Sequence, residues 1–189
     1  MTLPEGLVVV AVLGITAGIG AGPLREGLAR ARLASAAREI GQRMILARWN
    51  AVANGRSVGL RFEPEGSGWR VASYLDGDGD GIRTGDIRDG RDTALGRPFR
   101  PADGRGGVRF GVPPGRYPRV PPSRGWVEGG EDPIRFGRSD IASFSPMGSA
   151  TAGTVYLTDG DGRMAAVVVF GTSARVRVVR FDTAARRWR

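Results

Sequence analysis

The chain has 189 residues and a formal net charge of +9, and all 28 of its basic residues are arginine. It contains no cysteine and no histidine, which excludes disulfides, thiolate chemistry and catalysis built on a histidine base. The length fits one domain with an extension. The complete absence of lysine indicates codon bias, so the arginine content does not by itself indicate nucleic-acid binding.

The chain begins with an uncharged apolar run. No charged residue occurs between Glu5 and Arg25, and residues 6–24 would form a helix of about 28 Å, close to the roughly 30 Å of a bilayer core. A cleaved secretory signal is the alternative, but no basic residue precedes the run, and Pro23 makes residues 21–23 a poor cleavage site. The run therefore predicts a membrane-spanning helix within residues 1–24.

The next segment, residues 25–54, has the pattern of an amphipathic helix. Apolar residues recur at spacings of three and four, namely Leu24, Leu28, Ala36, Ala37, Ile40, Met44, Ala47 and Ala51. Asn54 and Gly55 form a stop signal. We expect one continuous helix from about residue 3 to residue 53, whose second half packs on the rest of the protein. Two separate helices joined near Gly22 and Pro23 are the alternative.

The first fifteen residues, MTLPEGLVVVAVLGI, resemble the processed N-terminus of type IV pilins and type II secretion pseudopilins. The resemblance implies that Met1 is methylated after a prepilin peptidase removes a leader. It also implies that Glu5 pairs with the terminal amine of a neighbouring subunit during assembly, and that Pro23 kinks the helix. We expect a basic leader ending in glycine upstream of Met1. Such a leader would stay on the cytoplasmic side and place the part of the chain that follows the membrane-spanning helix on the outer side of the membrane.

After Gly55 the period changes from 3.6 to 2, which predicts a β-rich head over residues 55–189. Residues 58–62 and 69–75 are expected to form a hairpin with a turn at residues 64–68. Residues 96–133 are rich in glycine, proline and arginine and predict a long loop with a short strand near Phe110. Four strands are expected in the final third: residues 141–144, 153–158, 163–170 and 174–181. The predicted fold class is α+β, with the long helix packed on a mostly antiparallel sheet.

Residues 76–87 alternate aspartate and glycine. Oxygen ligands at positions 1, 3 and 5 with glycine at position 6 match the first half of a calcium loop, but Ile87 stands where a bidentate glutamate belongs. Asp-Gly repeats also form turns without any metal. The calcium hypothesis uses Asp76, Asp78, Asp80 and Asp86; the alternative is a structural turn, and no other cofactor is expected.

The Asp-Gly loop followed by Arg83 and by Asp86-Ile87 resembles the corresponding part of H-type pseudopilins. The same holds for residues 143–148 and the strands that follow them. This resemblance implies a non-enzymatic minor pseudopilin of a type II secretion system. Its partners would be other pseudopilins and the inner-membrane secretion platform, and its head would lie in the periplasm.

A second hypothesis is a minor pilin that binds DNA for natural transformation. Some related pilins are thought to bind DNA through a Gly-Arg-any-Arg motif, and Arg175 and Arg177 occupy its arginine positions, with Ala174 in place of glycine. Six arginines and one aspartate lie between residues 175 and 189, which could neutralise phosphates. A solvated, codon-biased tail is the alternative. Catalysis by Asp78 and Asp80 is disfavoured, since no apolar pocket is indicated around them.

Overall fold

The computed structural model describes residues 3–66, 68–100 and 107–189, and of residues 7–23 it describes only the helical backbone. One helix, α1, extends over Leu3–Asn54, as predicted. It ends where Gly55 adopts a positive φ of 63°, a conformation that suits glycine, and the Gly55 N–H donates to the Val52 carbonyl. The prediction of a single helix is therefore confirmed.

The head consists of short antiparallel strands and one further helical turn. In chain order these are β1 (Val58–Glu65), β2 (Gly68–Leu75), α2 (Thr84–Asp89), β3 (Thr93–Ala94), β4 (Arg109–Phe110), β5 (Arg116–Pro118), β6 (Trp126–Glu128), β7 (Ile134–Arg135), β8 (Ile141–Phe144), β9 (Gly153–Thr158), β10 (Met164–Phe170), β11 (Arg175–Asp182) and β12 (Arg187–Trp188). One sheet has the order β3-β2-β1-β8, and a second has the order β12-β11-β10-β9-β4 with β7 also paired to β9. The hairpin β5–β6 forms a separate two-stranded sheet. The α+β fold class is confirmed.

The main core lies between α1 and the two sheets. One face of α1 is buried over seven positions at helical spacing: Leu33, Ala36, Ala37, Ile40, Met44, Ala47 and Ala51. The small residue Gly41 allows close approach to β11, because a Cβ there would lie 2.9 Å from Cγ2 of Val178. This interface joins the second half of the helix to the head.

A second cluster lies on the other face of the β9–β10–β11 sheet. In β10, Ala165, Val167 and Val169 face the main core, whereas Met164, Ala166 and Val168 face the second cluster. This burial on both faces explains why β10 is a continuous apolar run. Tyr117, Phe181 and Trp188 cover the second cluster, and Trp188 Nε1 donates to the Pro118 carbonyl over 2.7 Å.

Aromatic rings join the two sheets. Phe62 of β1 stacks on Phe136 with ring centroids 5.9 Å apart, and it meets Phe110 of β4 edge-on at 6.0 Å. Trp69 of β2 also contacts Phe110 edge-on at 5.9 Å. Such ring pairs stabilise by about 0.5–1.5 kcal/mol beyond their buried area. The sheets are therefore held together by packing from residues far apart in sequence.

The structure differs from the sequence expectation in two ways. The β1–β2 hairpin is longer than predicted, because Pro64 lies inside β1 opposite Trp69, beyond the last residue of β1 that pairs with β8. Among the described residues, Pro64 has no partner on the β8 side, and proline, which lacks an N–H, is tolerated at such edge positions. The region expected to be a long loop with a short strand near Phe110 contains that strand, β4, and also the hairpin β5–β6, which was not predicted.

Within the described part of the chain, no helix is long and apolar enough to cross a membrane. The membrane-spanning prediction concerns residues 1–24, and most of that run lies where side chains are outside the description. Met1 lies outside the described residues altogether. The helix is continuous through Pro23, whose predicted kink stays a prediction.

Candidate functional site

The exposed face of α1 carries large apolar side chains. We define the outer stripe as Leu28, Ile45, Leu46, Trp49 and Val52, all of which are exposed. Successive helical residues are about 100° apart, so these positions point away from the buried face that contains Ile40 and Met44. Trp49 is 66% exposed and Val52 50% exposed. The second half of α1 is thus apolar on two opposite faces.

A helix that is apolar on more than one face is ordinarily buried on more than one face. Among the described residues, the head packs against the face of α1 that contains Ile40 and Met44, and β1, β8, β10 and β11 contact the helix. The outer stripe is therefore a candidate interaction surface. Glu5 lies in the first turn of the same helix, where its side chain is exposed and where a carboxylate is favoured by the helix dipole.

The Asp-Gly loop is closed by two buried carboxylates. Asp76 accepts hydrogen bonds from the Gly79 N–H at 2.7 Å and from the Gly81 N–H at 2.9 Å. Asp92 accepts from the Gly77 N–H at 3.3 Å and from the Arg83 N–H at 3.0 Å. Both aspartates are only 2% exposed. The loop's fold follows from these four backbone contacts.

The structure brings together three of the four residues that the calcium hypothesis names. Carboxylate oxygens of Asp76, Asp78 and Asp80 lie within 4.8 Å of one another, which would suit a hard cation. Asp86 is not part of that group, and its carboxylate pairs with Arg91 at 3.0 Å. The role of these residues as metal ligands stays a prediction.

Two arginines pair with carboxylates of the Asp-Gly loop. Arg83 pairs with Asp80, and Arg91 lies 3.8 Å from Asp78. Desolvation, together with the hydrogen bond to Asp78, raises the pKa of the Asp80 carboxyl. Desolvation also acts to raise the pKa of Asp78, but hydrogen bonds from Asp80 and the charge of Arg91 leave it below its ordinary value. The two pKa values shift in opposite directions because neighbouring carboxylates retain one shared proton more readily than both become ionised.

Asp92→Ala should destabilise the head by about 2 kcal/mol or more, because two backbone amides of the loop lose their acceptor. Denaturant unfolding of the full chain measures this change. The control is Asp89→Ala, since Asp89 is exposed and, among the described residues, its side chain pairs with the exposed Arg88 and Arg91. The effect of this control should stay within about 0.5 kcal/mol. Equal effects of the two substitutions would contradict the clamp role of Asp92. Unfolding of the wild type in millimolar calcium tests the metal hypothesis, because a bound ion would raise the free energy of unfolding.

Arg175 and Arg177 lie at the start of β11, two residues apart and on one face of the strand. Both are exposed, and among the described residues neither side chain has an ion-pair or hydrogen-bond partner. They lie opposite Phe170 and Val168 of β10, on the side of the second cluster. Trp188 is not beside them as a stacking platform for bases, since its ring packs against Phe181 with centroids 5.2 Å apart.

The architecture defines a class of protein: one long N-terminal helix whose second half is clamped on a small antiparallel β head, with the helix's opposite face apolar and uncovered. Residues 36–117 match the family model described as type II transport protein GspH. This match covers the C-terminal part of α1, from Ala36 onward, and the head as far as Tyr117. It confirms the resemblance to H-type pseudopilins of type II secretion. No curated protein and no solved structure matches the chain.

Proposed function

We propose that the chain is a minor pseudopilin that assembles into a periplasmic pseudopilus and is anchored in the inner membrane by the first part of α1. The observation that carries the proposal is the two-faced second half of α1. Its inner face, with Ile40 and Met44, is fully buried by the head, and its outer stripe is apolar and exposed. A filament in which long helices bundle supplies the missing cover for that stripe.

The mechanism is assembly rather than catalysis. The α1 helices of neighbouring subunits bury the outer stripe, and Glu5 neutralises the terminal amine of an adjacent subunit. The pairing has a physical basis, because a carboxylate near lipid is costly unless a cation lies beside it. A prepilin peptidase would generate that amine at Met1, and the secretion platform of the inner membrane would be the assembly partner.

The buried carboxylates of the described head are engaged in structural contacts. The chain has no histidine or cysteine. Asp76 and Asp92 accept backbone hydrogen bonds, and Asp86 pairs with Arg91. These contacts support a structural subunit.

Co-isolation with pseudopilins of the same organism tests the proposal. We expect the full chain, expressed with its prepilin peptidase, to fractionate with the inner membrane and to co-purify with the other pseudopilins after detergent extraction. Glu5→Gln should leave membrane fractionation unchanged and reduce co-purification at least about tenfold, because the ionic partner of the neighbouring amine is lost. A chain that fractionates with the soluble proteins, or a Glu5→Gln variant that co-purifies as well as the wild type, would contradict it.

A second candidate function, DNA binding during transformation, is favoured by Arg175 and Arg177, whose exposed side chains have no ion-pair partner in the part of the chain that the structure describes. A salt series of DNA binding by the purified full chain distinguishes the two functions. For a DNA-uptake pilin, binding would fall steeply with salt and collapse in the Arg175→Ala/Arg177→Ala variant. For a secretion pseudopilin, we expect binding that is negligible or equal in wild type and variant.

A further inference from the structure

A basic pocket lies where β11 and β12 meet the middle of α1, around Arg30 and Leu33. We define the basic pocket by four arginines that come from four separate segments: Arg30 of α1, Arg163 before β10, Arg180 of β11 and Arg189 at the end of the chain. Its volume is about 460 Å³, and Leu33 and Phe181 also line it. No single stretch of sequence indicates this cluster.

The basic pocket lies at the end of the head nearest the apolar run. α1 and β11 run in opposite directions, since Gly41 approaches Val178 whereas Arg30 and Leu33 line the same pocket as Arg180. Arg30 follows Leu24, the last residue of the apolar run, by six positions. At 1.5 Å per residue this places it about 9 Å further along the helix.

Three of the four arginines have ion pairs, and one has none. Arg30 pairs with Glu26 at 2.9 Å, Arg163 with Asp159 at 2.8 Å, and Arg189 with Asp182 at 2.9 Å. The Arg180 side chain has no ion-pair partner within the part of the chain that the structure describes. The Arg180 guanidinium therefore keeps its N–H donors available within the described residues, and each paired guanidinium retains further N–H donors.

The backbone holds Arg180 and Arg189 side by side. The Arg180 N–H donates to the Arg189 carbonyl at 2.8 Å, and the Arg189 N–H donates to the Arg180 carbonyl at 2.9 Å. Such a doubly bonded pair is the narrow arrangement of an antiparallel ladder, so the positions of both residues are fixed by main chain rather than by flexible loops. Directly paired residues of an antiparallel ladder have side chains on the same face, so both guanidinium groups can reach a single anion.

We propose that the basic pocket binds the phosphate group of an anionic phospholipid at the membrane surface, so that the head is held against the bilayer. This rests on the membrane anchoring proposed above. The headgroup layer adds about 5–7 Å on each side of the hydrocarbon core, and an arginine side chain that starts about 9 Å from the apolar run can reach it. Arginine is the side chain that best matches phosphate oxygens, through its planar pair of donors.

The proposed lipid site is separate from the candidate DNA site. Arg180 lies on the α1 side of β11, as its pairing with the core residue Ala165 shows, whereas Arg175 and Arg177 lie on the opposite face. Arg175 also lies at the other end of the strand, in the direction of the C-terminal end of α1. The two arginine pairs can therefore be removed independently, with equal loss of charge.

Titration of the full chain in zwitterionic detergent with short-chain phosphatidylglycerol tests the proposal. Backbone amide shifts of Arg180 and Arg189 report binding, and short-chain phosphatidylcholine and inorganic phosphate serve as parallel ligands. We expect Arg180→Gln/Arg189→Gln to weaken phosphatidylglycerol binding about tenfold or more, since two charge-assisted contacts are lost. The matched variant Arg175→Gln/Arg177→Gln should bind within about twofold of wild type. Melting temperatures confirm that both variants are folded.

Each other result overturns the proposal. An equal loss in both double variants would show that net charge alone attracts the lipid. Phosphate bound as tightly as phosphatidylglycerol would make the basic pocket a site for free phosphate. No lipid binding, with pseudopilin co-purification lost only in Arg180→Gln/Arg189→Gln, would assign it to an acidic protein partner. Membrane fractionation is scored separately, so a chain that is anchored but binds no phosphatidylglycerol refutes the lipid site alone.

Discussion

Gly153→Ala should lower the free energy of unfolding by about 3 kcal/mol, because the new methyl group has no room. A Cβ at Gly153 would lie closer than 3.0 Å to both a ring carbon of Phe136 and the Arg135 carbonyl oxygen. Phe136 is fully buried and stacks on Phe62, and the carbonyl belongs to β7, which is hydrogen-bonded to β9. Neither neighbour can retreat without separating strands or displacing a core ring.

Thermal unfolding of the full chain followed by circular dichroism measures this effect. For a protein of this size, a loss of about 3 kcal/mol corresponds to a fall in melting temperature of roughly 6–12 °C. The control is Gly111→Ala near the same sheet, where the added Cβ would meet only Thr158 Cγ2 at 3.4 Å. That variant should melt within a few degrees of the wild type. A melting temperature for Gly153→Ala equal to that of Gly111→Ala would show that β7 and β9 are not packed as described.

The regular elements could be predicted from sequence because their signals are local. α1 shows helical spacing over many turns, and the alternation of β1 and the apolar run of β10 each lie within one strand. The face shared by Arg175 and Arg177 follows in the same way from the period of two. Such patterns depend only on which face of an element is buried.

The missed elements depend on partners far away in sequence. The strands β5 and β6 have three residues each and β12 has two, which is too short for a periodic signal. Trp188 is held by the Pro118 carbonyl, 70 residues away, so the C-terminal segment expected to be solvated is partly packed. The basic pocket was missed for the same reason, since its four arginines are brought together only by the fold.

The Asp-Gly loop shows where sequence reasoning kept two alternatives. The spacing of Asp76, Asp78 and Asp80 matches both a cation loop and a metal-free turn. Asp92, which clamps two backbone amides of the loop, lies outside the spacing that either pattern uses. The α2 helix between them is a single short element that ends at Gly90 with a φ of 78°. The loop is therefore organised by a residue that only the structure brings to it.

The largest functional effect is expected on the outer stripe of α1. Trp49→Ser combined with Ile45→Ser should reduce co-purification with the other pseudopilins at least about tenfold, because a tryptophan buried in an interface commonly contributes about 2 kcal/mol or more to binding. Both side chains are exposed in the single chain, Trp49 at 66% and Ile45 at 42%. Their removal should therefore change the melting temperature by no more than a few degrees.

Trp126→Ser is the matched control, because Trp126 is also exposed, at 47%, but lies on β6 in the separate β5–β6 hairpin. The Arg116 guanidinium lies over its ring, 4.8 Å from the ring centroid. We expect co-purification of this variant within about twofold of wild type, as is usual for interface-remote surface substitutions. Equal losses in the two variants would indicate a general effect of losing surface tryptophan. Unchanged co-purification of the α1 variant would mean that the helix is apolar on its outer face for a reason other than assembly, and the pseudopilus proposal would lose the observation that carries it.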